Sequence, residues 1–367
     1  DSFAQSNAVA SNRQQPAGLP PGVPGQISHY RLVRLIGRGG MGAVYEAQHL
    51  HLKRRVAVKL LHSEWTSETH RQRFDREIEA IGRLRHPHVV AAHDAGTDIA
   101  GHRYLVMEYI EGCDLQGVAQ HHHKLAVADA CECIRQAALG LAYAHDQGCI
   151  HRDIKPSNLL LDRQGIVRIS DLGLARLQSE SGLQTLTGTG QVLGTVDYMS
   201  PEQAQGDRSV ECSSDIYSLG CTLYRFLAGK PPYVGASYDS LARKLLAHVE
   251  DPLPDVDAVR SDVPPELKQL LTEMTAKQSA ARPTASVVAE RIAPWCQGEQ
   301  LASLLPDLPA RPEASSDPNT PEAQTTSRAA SLTTQELPGR RRSRKWWAPA
   351  LLCVVASGAA IALWRPW

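Results

Sequence analysis

Apolar and polar residues alternate from Tyr30 to Ile36 and again from Ala43 to Ala47, with Gly37-Arg38-Gly39-Gly40-Met41-Gly42 between them. Period-two alternation broken by a glycine cluster predicts two strands joined by a turn. Val56-Ala57-Val58-Lys59-Leu60 and Tyr104-Leu105-Val106-Met107-Glu108 are further runs of strand length, the second leading to Gly112, read as a hinge. Between them, Thr69 to Leu84 sets Phe74, Ile78 and Ile81 on one face, which is helical spacing.

Past Gly112 the period changes. Val127 to Gln147 carries Ile134, Ala138, Leu141 and Ala142 at helical intervals and predicts a long buried helix. Leu159-Leu160-Leu161 and Val167-Arg168-Ile169 read as a short hairpin. Helices follow at Ser214 to Ala228, Ser240 to Val249, Pro264 to Met274 and Ala285 to Ile292. Strands with one helix, then mostly helices, predict an α+β protein of two lobes, about 29–110 and 111–296.

The two ends differ in kind. Residues 1–28 are rich in Pro, Gly, Ser, Gln and Asn and predict a disordered segment. The chain starts at Asp1 and not at Met, and no secretory signal is visible there. Residues 297–345 read as a flexible linker that ends in the basic cluster Arg340 to Lys345. Trp346 to Trp364 contains no charged residue, and roughly twenty apolar residues of helix cross a ~30 Å hydrocarbon layer. Residues 346–367 therefore predict a transmembrane helix. The tryptophans serve as interfacial anchors, and the basic flank places the preceding chain on the cytoplasmic side.

Charge narrows the partners. The 39 basic residues balance the 39 acidic ones, so no overall field points to nucleic acid. The 8 cysteines lack paired C-x-x-C spacing, and a 367-residue chain needs no disulfide staples. They read as reduced packing thiols. His121-His122-His123 reads as solvated histidines in a polar loop, without the further spacing a metal site needs.

Several chemistry-bearing groups stand in a fixed order along the foldable region. Gly37-x-Gly39-x-x-Gly42-x-Val44 lies between two strands, whereas a dinucleotide fold would open a helix there. Lys59 sits inside an apolar strand and needs a counter-charge. Glu77 is the favoured partner and Glu79 the competitor; they lie roughly 200° apart on a helix, so both cannot face the lysine. His151-Arg152-Asp153-Ile154-Lys155-Pro156-Ser157-Asn158 follows, then Asp171-Leu172-Gly173, then Ser200-Pro201-Glu202.

This series, from Tyr30 to Cys296, resembles the bacterial eukaryotic-like (Hanks-type) serine/threonine protein kinases. The resemblance implies the two-lobed kinase fold and ATP-dependent phosphorylation of protein Ser/Thr hydroxyls, with Mg²⁺, or Mn²⁺ as the alternative ion. Asp153 would align and deprotonate the hydroxyl, Lys155 would neutralise the transferred group, and Lys59 would hold the α and β phosphates. Asn158 and Asp171 would bind metal through oxygen. Ile36, Gly37, Gly39, Gly42, Val44, Ala57, Lys59, Glu77, Met107 and Glu108 would line the nucleotide site. Leu172 replaces the family's commoner phenylalanine, a change that bears on packing against His151. Thr187 and Thr189 stand where relatives carry activating phosphates, which would pair with Arg152. Glu202 would pair with Arg282, and Asp215 would brace the catalytic loop. Expected partners are protein substrates, a second copy of the chain for trans-phosphorylation, and the cell membrane through a single pass. A nucleotide-binding scaffold without activity is the first rival, which the intact set of Lys59, Asp153, Asn158 and Asp171 disfavours. A small-molecule kinase of related fold is the second, which the S-P-E triplet and the long segment before it disfavour.

Overall fold

The computed structural model describes residues 18–40, 42–61, 77–173, 196–207, 210–296 and 300–306. The calls on Thr187 and Thr189, on most of the 297–345 linker and on the 346–367 apolar run fall outside these residues. Among the described residues, no helix is long and apolar enough to cross a membrane.

The first lobe is a six-stranded antiparallel sheet. Its strands are β1 (Gln26–Ile27), β2 (Tyr30–Gly39), β3 (Gly42–His49), β4 (Arg55–Leu61), β5 (Ala92–Thr97) and β6 (Arg103–Glu108), in the order β1-β2-β3-β4-β6-β5. The two strands flanking the glycines are present, but they reach into the predicted 37–42 turn: Gly37 to Gly39 continue β2 and Gly42 opens β3; β4 and β6 are the apolar runs read from the pattern. Alternation puts Leu32, Tyr45, Ala47, Val56, Val58 and Val106 in one core cluster. Ala57, Ile81, Leu105 and Met107 form another on the opposite face. Of the predicted 69–84 helix, residues 77–84 are described, and the helix ends at residue 82.

Packed chain begins before residue 29. Ile27 is fully buried, pairs with Tyr30, and packs with Leu19 and Val23 against the first core cluster. Leu19, Val23 and Ile27 recur at a helix-like interval, but the prolines and glycines between them forbid a helix, so the pattern gave no regular element there.

The second lobe is built on two helices. Val127–Asp146 packs against Cys212–Ala228 and Ala285–Ile292. Every residue from Ser214 to Ala228 is buried, so this helix is a hub enclosed on all sides, its polar residues included. Arg225 within it donates to the carbonyls of Ala119 and His123, each at 3.1 Å. Its charge thus sits at the C-terminal end of the Leu115–His122 helix, where the backbone dipole favours a cation. His121 and His122 belong to that helix and not to a loop, and His122 Nε2 lies 2.9 Å from the Leu304 carbonyl. Among the described residues, no cluster of side chains suits a metal ion by His, Cys, Asp and Glu alone.

The small sheet β7 (Gly112–Asp114), β8 (Leu159–Asp162), β9 (Val167–Ile169) carries the catalytic segment. Gly112 is thus a strand residue; a Cβ there would fall 1.8 Å from the Leu161 carbonyl oxygen. Packed chain also continues past residue 297. Leu301 and Leu304 are buried in the helical core, and the Gln300 amide donates to Asp129 at 2.9 Å.

Candidate active site

Lys59 projects from β4 into the space between the lobes, where its Nζ lies 2.8 Å from Oδ1 of Asp171. The lysine is 4% exposed, so its counter-charge is a requirement of folding. Burial acts to raise the Asp171 carboxyl, but the Lys59 ammonium outweighs it, aided by His151 and Lys155, and holds it below the ordinary carboxylate value.

Glu77 stands at the start of the described helical segment, with Oε2 against Gly173; a Cβ on that glycine would lie 3.5 Å away. Ile81 and Ile78 of the same segment pack with Ala57 and Met107. Glu79 turns outward and pairs with Arg83, both largely exposed. The geometry puts Glu77, the favoured carboxylate, on the inward side.

Asp153 is oriented from two directions. Lys155 Nζ approaches Oδ2 at 2.8 Å, and Asn158 Nδ2 donates to the same oxygen at 3.1 Å and to the Asp153 carbonyl at 2.7 Å. With its amide nitrogen so engaged, Asn158 has its amide oxygen for a hard cation. That oxygen and the Asp171 carboxylate are an oxygen donor set suited to Mg²⁺ or Mn²⁺.

The loop that carries Asp153 is held by distant groups. Asp215, fully buried, accepts from the backbone amides of His151 at 2.9 Å and Arg152 at 2.7 Å. His145 Nε2 adds a third contact to Asp215 at 2.8 Å. His151 Nδ1 accepts from the Asp153 amide at 3.1 Å, so its Nε2 carries the proton and donates to the Ser170 carbonyl at 2.8 Å. This imidazole therefore joins the base's loop to the residue before Asp171. Leu172 is buried in the core of the helical lobe.

Arg152 has φ 68° and Asp171 has φ 58°. Left-handed backbone at such residues costs about 1–3 kcal/mol each and persists where the surroundings dictate it. For Arg152 the cause is visible: its amide is fixed by Asp215, and its carbonyl accepts from Gln203 Nε2 at 2.7 Å. Gln203 was not identified from sequence. Its signal was the S-P-E-Q capping box, in which Ser200 and Gln203 satisfy each other's backbone at the Pro201–Ala204 turn. That turn is anchored by Glu202, which takes both Arg282 nitrogens, Nη1 at 2.7 Å and Nη2 at 2.9 Å.

The residues expected on the nucleotide side lie on strands of the first lobe. Ala57 and Met107 are buried beside Val44, and Glu108 follows at the end of β6. Ile36 is 39% exposed and lies where β2 shifts register between Leu35 and Gly37. A Cβ on Gly39 would meet nothing within 4 Å, and one on Gly37 only Val44 at 4.0 Å. The surface above them is open to a phosphate chain. Gly42 differs: a Cβ there would lie 1.8 Å from the Leu60 carbonyl oxygen. The third glycine of the motif is therefore required by strand packing.

The arrangement has the parts for phosphoryl transfer by positioning and electrostatics. Residues 30–294 match the family model "Protein kinase domain". The chain is 40% identical over 264 residues to serine/threonine-protein kinase PknD of Mycobacterium tuberculosis, covering 71% of this chain and 39% of that protein. It is 39% identical over 253 residues to PknB of Mycolicibacterium smegmatis, covering 68% of this chain and 40% of the relative. The chain thus spans about two fifths of the length of these relatives. The crystal structure of the M. tuberculosis PknI kinase domain superposes with a TM-score of 0.58 at 28% identity, over 76% of this chain and 100% of that one. The chain belongs to the protein kinase family and carries a serine/threonine kinase domain of the bacterial Hanks type.

Proposed function

We propose that this chain transfers the γ-phosphoryl group of Mg²⁺-ATP to Ser and Thr hydroxyls of proteins. The observation that carries the reading is the convergence of Asp153, Lys155 and Asn158 beside the Lys59–Asp171 pair. Asp153 aligns the acceptor hydroxyl and takes its proton. Lys155, 2.8 Å from that carboxylate, meets the negative charge of the transferred group. Lys59 holds the α and β phosphates, and Asn158 and Asp171 hold the metal. The bound ion, Mg²⁺ or Mn²⁺, neutralises charge on the phosphates. Glu77 keeps Lys59 aligned, and Ile36, Gly37, Gly39, Gly42, Val44, Ala57, Met107 and Glu108 line the nucleotide.

The proposal extends to location and control. The 346–367 run tethers the kinase domain to the cell membrane in a single pass, with the domain cytoplasmic. The linker lets two copies meet, and autophosphorylation at Thr187 and Thr189 activates the enzyme through Arg152.

Asp153→Asn tests the central claim. Loss of the base and of its positioning lowers the rate by roughly 10²–10⁴, while ATP binding, followed by calorimetry, is retained. Near-normal phosphorylation of myelin basic protein by the variant would remove Asp153 from this role.

A further inference from the structure

Asp197 and Lys244 lie 47 residues apart and form an ion pair whose side chains are only 13% and 10% exposed. The pair joins the stretch leading into Ser200 to the Leu241–Glu250 helix. Burial pushes the Asp197 carboxyl up, and Lys244 offsets this only in part. Two charges so far out of water need a geometry that holds them both.

The helix has other anchors. Ser240 caps its start. At its other end, Lys277 Nζ donates to the carbonyls of His248 at 2.8 Å and Ala247 at 3.2 Å. Tyr217 Oη meets His248 Nδ1 at 3.0 Å. The Pro201–Ala204 turn also has its own anchors, Glu202 on Arg282 and Gln203 on the Arg152 carbonyl. The stretch between Val196 and Ser200 is tied to this same helix at two points, by the His248 ring on the Val196 backbone and by the Asp197–Lys244 pair. Val196 and Tyr198 bury their side chains, and Asp197 is the charge that reaches across to the helix. With His248 holding Val196, breaking the pair would loosen the stretch from Asp197 onward and leave the helix and the turn on their own anchors. Through Gln203 and Arg152, the same stretch is tied beside the loop that carries Asp153. It therefore flanks the position of the acceptor hydroxyl.

We propose that Asp197 and Lys244 are positioning residues for the protein substrate. The pair fixes the 197–199 backbone against which the substrate chain next to the acceptor hydroxyl lies. It governs the protein's KM and leaves that for ATP alone. This rests on the protein-substrate reading above.

The test is steady-state kinetics on the full chain with myelin basic protein, ATP and protein varied separately. Lys244→Met and Asp197→Asn should each raise the protein KM about tenfold, a factor equal to roughly 1.4 kcal/mol. The KM for ATP and the slow hydrolysis of ATP without protein should not move. The exchange variant, Asp197→Lys with Lys244→Asp, should recover most of the lost affinity. An unchanged protein KM, or a parallel loss for ATP and protein that the exchange does not rescue, would overturn the proposal. If the parent chain phosphorylates no protein at all, the underlying reading falls, and this inference falls with it.

Discussion

Lys59 and Asp171 neutralise each other across the cleft, Nζ to Oδ1 at 2.8 Å, although from sequence each had a different partner. Lys59 was expected to find a glutamate and Asp171 a metal ion. Their pairing means that the lysine supports the carboxylate's charge as well as the nucleotide's. Lys59→Met should lower phosphotransfer by at least about 10²-fold, the scale for removing one preorganised donor. It should also let the Asp171 carboxyl rise, since burial is then unopposed by the ammonium. Autophosphorylation assays and a pH titration of Mg²⁺ binding read the two effects separately.

Glu77 and Glu79 make opposite predictions. Glu77 faces Gly173 and the apolar cluster around Ala57, whereas Glu79 is exposed on Arg83. Glu77→Gln should reduce kcat by an order of magnitude or more, roughly 1.4 kcal/mol per tenfold. Glu79→Gln should change it less than about twofold, as expected for an exposed i,i+4 pair. The reverse order in a side-by-side assay would reassign the partner.

Acid should weaken the helical lobe through one histidine. His248 is fully buried between Tyr217 and Tyr233. Burial, with Lys277 and Lys244 adding to it, lowers its pKa from 6.5 to about 3. The unfolded chain takes up this proton near pH 6.5, and the folded chain not until about pH 3. Stability is therefore full above 6.5 and falls as pH drops through that window. The loss between pH 6.5 and pH 5 is on the order of 2 kcal/mol. His248→Gln should flatten this arm of a Tm-against-pH curve; parallel curves for parent and variant would show that another group carries it.

The apolar run gives a physical prediction of its own. The full chain should require detergent for extraction, and a chain ending at Pro338 should be soluble and active. A full chain that stays in the supernatant without detergent would remove the membrane tether.

What could be read from the sequence was the chemistry that is local in it. The H-R-D loop, the glycine turn and the lysine strand each hold their signal within a few residues. Strand β5 did not, because Ala92 alone of its six residues is buried and its place comes from backbone pairing with β6. The Leu115–His122 helix is short and polar, and its stability comes from the Asp114 cap and from Arg225, a hundred residues away. Gln203, His248 and Lys277 act through contacts that no spacing rule encodes. Buried Ile27 and Leu301 carried too little periodicity to mark where folded chain begins and ends.

The hold that Asp215 and Gln203 exert on Arg152 bears on protein engineering. The left-handed turn at Arg152 is not set by the loop's own eight residues, His151 to Asn158. It is set by a helix 63 residues further along and by a glutamine 51 residues further along. A peptide copied from this loop, or a graft of it onto another scaffold, would relax to ordinary backbone angles and lose the aim of Asp153. The smallest transferable unit of this chemistry therefore includes the Cys212–Ala228 helix and the Pro201–Ala204 turn, so catalysis can be moved only along with most of the lobe that folds around it.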